Sequence, residues 1–190
     1  MKLSAEDYMS AAGALGCQVA AVKAVTQVES RGSGFLASGE PVILFERHWM
    51  YKLLVKKGVT PVISDVCDPK AGGYKGGKAE HDRLAKAVLI DRDCALQSAS
   101  WGLFQIMGFN YKILGYANIQ AFVNDACKSE ATQLNMFVKF LKANPSMLSA
   151  LRSRDWENFA KLYNGPRYKD NHYDTKLKTA YDSYMPKLQT

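Results

Sequence analysis

Along most of this chain the apolar positions recur with the period of helices, and only short stretches depart from it. Ser4-Ala5-Glu6-Asp7 reads as a helix start, with Ser4 as the cap and Asp7 reaching back to it. That first helix is predicted to stop at Gly13 to Gly16. Between Cys17 and Ser30, Val19, Val22, Ala24, Val25 and Val28 return close to every 3.6 residues, which predicts a half-buried helix. Glu29 stands at its end. Small residues follow (Ser30, Gly32, Ser33, Gly34), then Gly39 and Pro41 punctuate the chain before the strand-like run Pro41 to Phe45. This pattern predicts a small hairpin over Phe35 to Phe45, turning at Ala37 to Glu40 and ending on a second carboxylate, Glu46.

Arg47 to Lys57 is amphipathic, with Gly58 as its stop. Val59 to Gly77 reads as a loop. Its glycine-rich piece, Ala71-Gly-Gly-Tyr-Lys-Gly-Gly77, lacks the GK[ST] ending and the preceding strand of a phosphate loop, so it is read as a flexible surface loop at one edge of a cleft. Lys78 to Ser100 predicts one long helix, with Leu84, Val88, Leu89, Cys94 and Leu96 on or near one face. Trp101 to Gly108 is apolar but too short to form a layer of its own. Ile119 to Asn144 gives one or two helices ending before Pro145, and Met147 to Arg152 a short one. Asp155 caps the next, Trp156 to Leu162, which Tyr163-Asn-Gly-Pro166 terminates, and the last helix runs from about His172 to Tyr184. The sum is a mainly α chain of α+β character: about eight helices beside one small β-hairpin lobe, in a single domain over residues 1–190 with no repeat and no linker.

Composition narrows the function classes. At 190 residues, 47% apolar and 23% charged, the chain can bury a substantial core. Twenty-five Lys and Arg against eighteen Asp and Glu give a net charge of +7, which suits contact with an anionic envelope and equally serves solubility alone. No basic–apolar–small leader opens the sequence, and its longest apolar runs are too short to span a membrane. Synthesis in the cytosol is the expectation. Cys17, Cys67, Cys94 and Cys127 are scattered without a CxxC spacing, which favours buried free thiols over disulfides or zinc. His48, His81 and His172 are too far apart for a local ligand motif, so no metal or cofactor is expected. No Ser-His-Asp or Cys-His signature appears, and no nucleic-acid reader motif. The basic C-terminal segment (Lys169, Lys176, Lys178, Lys187) has an apolar face at Leu177, Ala180 and Tyr184 that suits docking on a core better than membrane insertion.

Glu29 is the residue with the clearest chemical promise. Cleaving a glycosidic bond needs a protonated acid beside the leaving oxygen. A carboxyl keeps its proton near neutral pH when its surroundings are partly apolar, and a helix C-terminus favours the neutral form as well. Val25 and Val28 supply such surroundings. A solvated glutamate at a helix end is the plainer alternative. For Tyr163 and Asn164 the plainer alternative is a helix-ending turn with a core aromatic.

Three separated pieces, Glu29-Ser30, Gly102-Leu-Phe-Gln-Ile106 and Leu162-Tyr-Asn-Gly165, resemble the ES, GLMQI and AYNAG motifs of goose-type lysozymes and lytic transglycosylases. More closely, VESRGSGF, GEPVILFERH, SASWGLFQIMGFNY and YNGPRY resemble the phage-encoded N-acetylmuramidase family of endolysins, over about Ala11 to Tyr184. The resemblance implies a lysozyme-like fold and a lysozyme activity: hydrolysis of the β-1,4 bond between N-acetylmuramic acid and N-acetylglucosamine, with Glu29 as general acid. It implies that Gln105, Tyr163, Asn164, Ser30 and Tyr111 meet the substrate. Phe104 and Ile106 are read as core, and Trp101 as either a sugar-stacking face or a core filler. Glu46 either assists catalysis or forms a structural ion pair with Arg47 or another base; His48 is a supporting donor or a packed helix histidine. Glu40 is expected to face solvent. The partner implied is bacterial peptidoglycan, met by a monomer, with no nucleic acid. Such an enzyme, made in a host cytoplasm, reaches the periplasm and wall after release by a separate membrane-permeabilising protein. Two alternatives remain at this point: a lytic transglycosylase yielding 1,6-anhydromuramic acid, and a cationic wall-binding module without activity.

Overall fold

Polar side chains cap the starts of several helices of this protein, and glycine sits just past the ends of some. The computed structural model describes residues 2–30 and 32–185; Lys187 lies outside them. Among these residues are ten α-helices: α1 (Ala5–Leu15), α2 (Val19–Glu29), α3 (Arg47–Lys56), α4 (Lys78–Val88), α5 (Arg92–Gln97), α6 (Ile119–Ala126), α7 (Glu130–Lys142), α8 (Pro145–Ser153), α9 (Trp156–Asn164) and α10 (Tyr173–Tyr184). Three short strands, β1 (Ile43–Phe45), β2 (Ala99–Trp101) and β3 (Ile106–Met107), form an antiparallel sheet in that order. The mainly helical α+β class expected from sequence is what the structure shows.

The caps follow the sequence closely. Ser4 accepts from the Asp7 amide while Asp7 accepts from the Ser4 amide, a complete capping box, and Gly16 closes α1 in the left-handed region. The Asp155 side chain accepts from the Asn158 amide at the start of α9. Several expectations change. The predicted long helix from Lys78 to Ser100 breaks after Val88, and Asp91 caps α5 by accepting from the Cys94 amide. Leu89, expected on the apolar face, sits at the break and is 89% exposed. The predicted hairpin is also only partly formed. Phe35 and Pro41 make a single bridge, with the Leu36 amide donating to Glu40 O, but β1 pairs with β2, more than fifty residues away, in the register Leu44 opposite Ser100. Glu40 is half-buried beside Ser38 rather than solvent-facing.

Contacts group these residues into two compact units, one from the residues up to Gly32 together with those from Leu134 onward, the other Ser33–Gln133. In the first, α2 packs against α1 and α10 through a face of Ala20, Ala21, Val22, Ala24 and Val25. Leu141, Leu151, Phe159 and Leu177 complete its core. Burying side chains of this size contributes about 1.5–3 kcal/mol each. Arg152 Nε donates to Leu15 O, and the Tyr181 hydroxyl to Gln18.

In the second unit a buried carboxylate gathers the chain. Glu80, 0% exposed, accepts from the amides of Phe45 (3.0 Å), Lys75 (2.6 Å) and Gly76 (3.0 Å) and from Arg83 Nη1 (2.8 Å). Arg83 in turn donates to Phe45 O and Asp65 O, and its guanidinium lies 5.3 Å from the centre of the Phe45 ring. Burial pushes the Glu80 carboxyl up, but the three amides and Arg83 outweigh it and hold it below the ordinary carboxylate range. The glycine-rich stretch is therefore fastened at Lys75 and Gly76, not loose.

All four cysteines are free thiols; Cys67 and Cys94 are buried as expected, whereas Cys17 is half-buried and Cys127, at the C-terminal end of α6, is exposed. Glu80→Ala should cost about 3–5 kcal/mol, because Arg83 would remain buried without its partner. Urea unfolding followed by circular dichroism measures this, and a loss under about 1 kcal/mol would contradict the account.

Candidate active site

Helix α2 delivers Glu29 at its last residue, where the unpaired carbonyls of the final turn disfavour negative charge. The carboxyl is mostly withdrawn from water, and this burial raises its pKa to about 7 from an ordinary 4.5; a hydrogen bond from Asn164 works in the opposite direction. Asn164 Nδ2 donates to Glu29 Oε1 at 2.9 Å. With one oxygen occupied as acceptor, the other is left to carry the proton. At neutral pH a substantial fraction of Glu29 is a carboxylic acid, the form a proton donor needs.

Asn164 closes α9, and Tyr163 precedes it. The Tyr163 ring stacks on Phe159 (5.7 Å, 9° between planes) and meets the edges of Phe137 and Phe140 at 5.9 and 6.2 Å. Burial, and then the nearby Glu29 charge, push its hydroxyl well above its usual range, so it stays protonated. The sequence brought these two residues to Glu29 only through the resemblance. Asn164 is hydrogen-bonded to Glu29, and Tyr163 lies near enough to feel its charge.

Glu46 belongs to the other unit. It sits at the start of α3, where its amide donates to Ser98 O, and its side chain is 15% exposed. The ion pair with Arg47 does not form. Arg47 turns to Asp68 at 3.8 Å and donates to Lys70 O and Ala71 O. Glu46 Oε2 instead accepts from the Tyr74 hydroxyl at 2.7 Å, and His48 Nδ1 lies 3.1 Å away without hydrogen-bonding alignment.

Gln105 occupies the turn between β2 and β3 at φ 47, a left-handed conformation rare outside glycine. Its Nε2 donates to Gly102 O (2.8 Å) and Val42 O (3.3 Å), and its Oε1 accepts from Ser100 Oγ (2.8 Å). The amide thus holds the turn that carries it. Trp101, left open from sequence, is core: it is 4% exposed and its Nε1 donates to Leu96 O at 3.1 Å. Phe104 and Ile106 are buried as expected.

The profile of the N-acetylmuramidases matches residues 18–185. This chain belongs to that family. An endolysin of Enterobacteria phage PRD1 is 31% identical over 100 residues, which are 50% of this chain and 65% of that protein, so the match spans just under two-thirds of the relative. Among solved structures, the crystal structure of Burkholderia AP3 phage endolysin matches with a TM-score of 0.93 and 50% identity, covering 96% of this chain and 70% of that one.

In this member of the family, Ser30 and Tyr111 occupy minor posts. Ser30 caps α2, and Tyr111 ends a short 3-10 turn at Gly108–Asn110 with Lys112 Nζ 5.8 Å from its ring centre. Sequence reasoning missed Tyr74, Glu80 and Gln133. The Gln133 carboxamide accepts from Leu103 N (2.7 Å) and donates to Ala126 O (2.8 Å) and Gly34 O (3.3 Å), while Glu130 accepts from Gly34 N at 2.8 Å. A Cβ at Gly34 or Gly102 would lie 2.0 or 2.4 Å from the Gln133 side chain, so the glycines of both motifs make room for this amide. A polar residue on the apolar face of α7 was the available signal.

The folded protein holds the Glu29 proton more tightly than the unfolded chain does. Its contribution to stability is therefore greatest below about pH 4.5 and is lost as pH rises through about 7. Glu29→Gln removes that penalty. By about pH 8 the variant should be roughly 2 kcal/mol more stable than wild type, after discounting for partial exposure, with the difference vanishing in acid. Thermal melts of both proteins across this range check it; parallel curves would rule it out.

Proposed function

We propose that this chain is a peptidoglycan hydrolase of the lysozyme type, cleaving the β-1,4 bond between N-acetylmuramic acid and N-acetylglucosamine. The observation that carries the reading is the Glu29 carboxyl, protonated near neutral pH at the end of α2 and steadied through one oxygen by Asn164. The names of the two relatives, both phage endolysins, support a role in opening a bacterial wall.

In the proposed reaction the Glu29 proton passes to the glycosidic oxygen as the C1–O bond breaks, leaving positive charge on the muramic acid ring. Water adds at C1 and loses a proton, either to Glu46, which then releases it to solvent, or directly to solvent while Glu46 stabilises the developing charge. Glu29 regains a proton from solvent. No metal or cofactor enters this scheme. Asn164 orients the acid, and Tyr163 stands near it in protonated form. Gln105 shapes the turn near which substrate is expected, while Ser30 and Tyr111 supply polar contacts. In this reading the protein is made in a host cytoplasm and acts on the wall after a separate protein has permeabilised the membrane.

Glu29→Gln should abolish clearing of purified peptidoglycan while the fold stays intact by circular dichroism; a variant retaining clearing would refute the role of Glu29. Mass spectrometry of the digest should show reducing ends. Products lighter by one water would instead make the protein a lytic transglycosylase, and binding without any product a wall-binding module. Asn164→Ala has its own signature. Because the Asn164 hydrogen bond lowers the Glu29 pKa, its loss should move the alkaline limb of the activity profile to higher pH while lowering the maximum rate.

A further inference from the structure

Tyr74 stands in the middle of the glycine-rich stretch 71–77 with its residue 46% exposed, yet its hydroxyl is committed to Glu46 Oε2 at 2.7 Å. The backbone around it is unusually constrained for a surface loop. Gly72 and Gly73 before it, and Gly76 and Gly77 after it, have φ of 110°, 75°, 73° and 53°, conformations that other residues rarely adopt. On the near side, Arg47 Nε donates to Lys70 O at 2.9 Å, and a Cβ on Gly73 would come within 3.3 Å of the Arg47 guanidinium. On the far side, the amides of Lys75 and Gly76 are held by Glu80. The loop is thus clamped immediately after Tyr74 and a few residues before it. A tyrosine that merely covered the surface would need neither clamp.

We propose that Tyr74 is a positioning residue of the glycosidic reaction, whose hydroxyl fixes the Glu46 carboxylate so that Oε1 is presented to the water or to the developing charge. The proposal rests on the assisting role of Glu46 given above. The surroundings fit it. His48 Nδ1 is close to the same oxygen but off the direction of a hydrogen bond, and Arg47 is turned to Asp68, so among the described residues the phenol supplies the aligned donor. Burial and the Glu46 hydrogen bond push the Tyr74 hydroxyl up to about 12, so it remains a donor throughout the range in which Glu29 changes its protonation. A charge-assisted hydrogen bond of this length restricts the carboxylate to one orientation.

The test compares Tyr74→Phe, Glu46→Gln and the double variant in the whole chain, by steady-state hydrolysis of soluble peptidoglycan fragments and by thermal melting. Tyr74→Phe should lower kcat about ten- to a hundredfold, with KM changed by less than about threefold and the melting temperature nearly unchanged. The double variant should be no slower than Glu46→Gln alone, because the hydroxyl acts only through that carboxylate. Full kcat in Tyr74→Phe beside a crippled Glu46→Gln would overturn the proposal and leave Glu46 standing. So would losses that simply multiply in the double variant. Full activity in Glu46→Gln would remove the role of Glu46 itself, and Tyr74's with it.

Discussion

The unit formed by Ser33–Gln133 depends on a single buried carboxylate. Glu80 has no contact with water, and a bare charge there would be prohibitively costly. Its acceptance of three backbone amides and one guanidinium fixes, at one point, the end of β1, the first turns of α4 and the glycine-rich stretch. Arg83 extends the same node to Asp65 and to the carbonyl of Phe45. Remove the carboxylate and these segments lose the partner they share. Hydrophobic burial alone could not specify this arrangement, because the stretch 71–77 has almost no apolar side chains to bury.

Glu29 and Glu80 show how surroundings assign opposite roles to one side chain. Glu80 meets several donors at the start of a helix and stays ionised; Glu29 meets one neutral amide at the end of a helix and keeps its proton to about neutral pH. The first is locked into structure. The second is left able to exchange a proton, which is the property an acid catalyst requires. Deeper burial with more donors would have made Glu29 another structural carboxylate.

Much of this was legible in the sequence because it is local. Ser4, Asp155 and Gly16 act within a few residues of themselves, so their caps could be read directly. Glu29 and Asn164 are 135 residues apart, and only the motif order brought them together. What escaped reading depends on distant partners. The strand Ile43–Phe45 is too short to declare that its mate is Ala99–Trp101, and its apolar run fitted a hairpin equally well. The break at Leu89 was masked by apolar residues continuing in helical period, although Asp91 marked the next cap. Glycines that looked like slack turned out to serve close approach to Arg47, and Tyr74 among them gave no sign in the sequence of the carboxylate it meets.

The Gln133 carboxamide fills the space where Gly34 and Gly102 have no side chains. Each of these three positions is acceptable only in the presence of the other two. Gly34→Ala or Gly102→Ala, made alone, meets a full-length glutamine, and shortening the glutamine first strands the Leu103 amide beside a void. Evolution can leave this arrangement only by changing several codons together. In an alignment of descendants, the columns of Gly34 and Gln133 should therefore drift together although they are dozens of residues apart, while Gly102, at φ 68°, is held to glycine by its backbone as well.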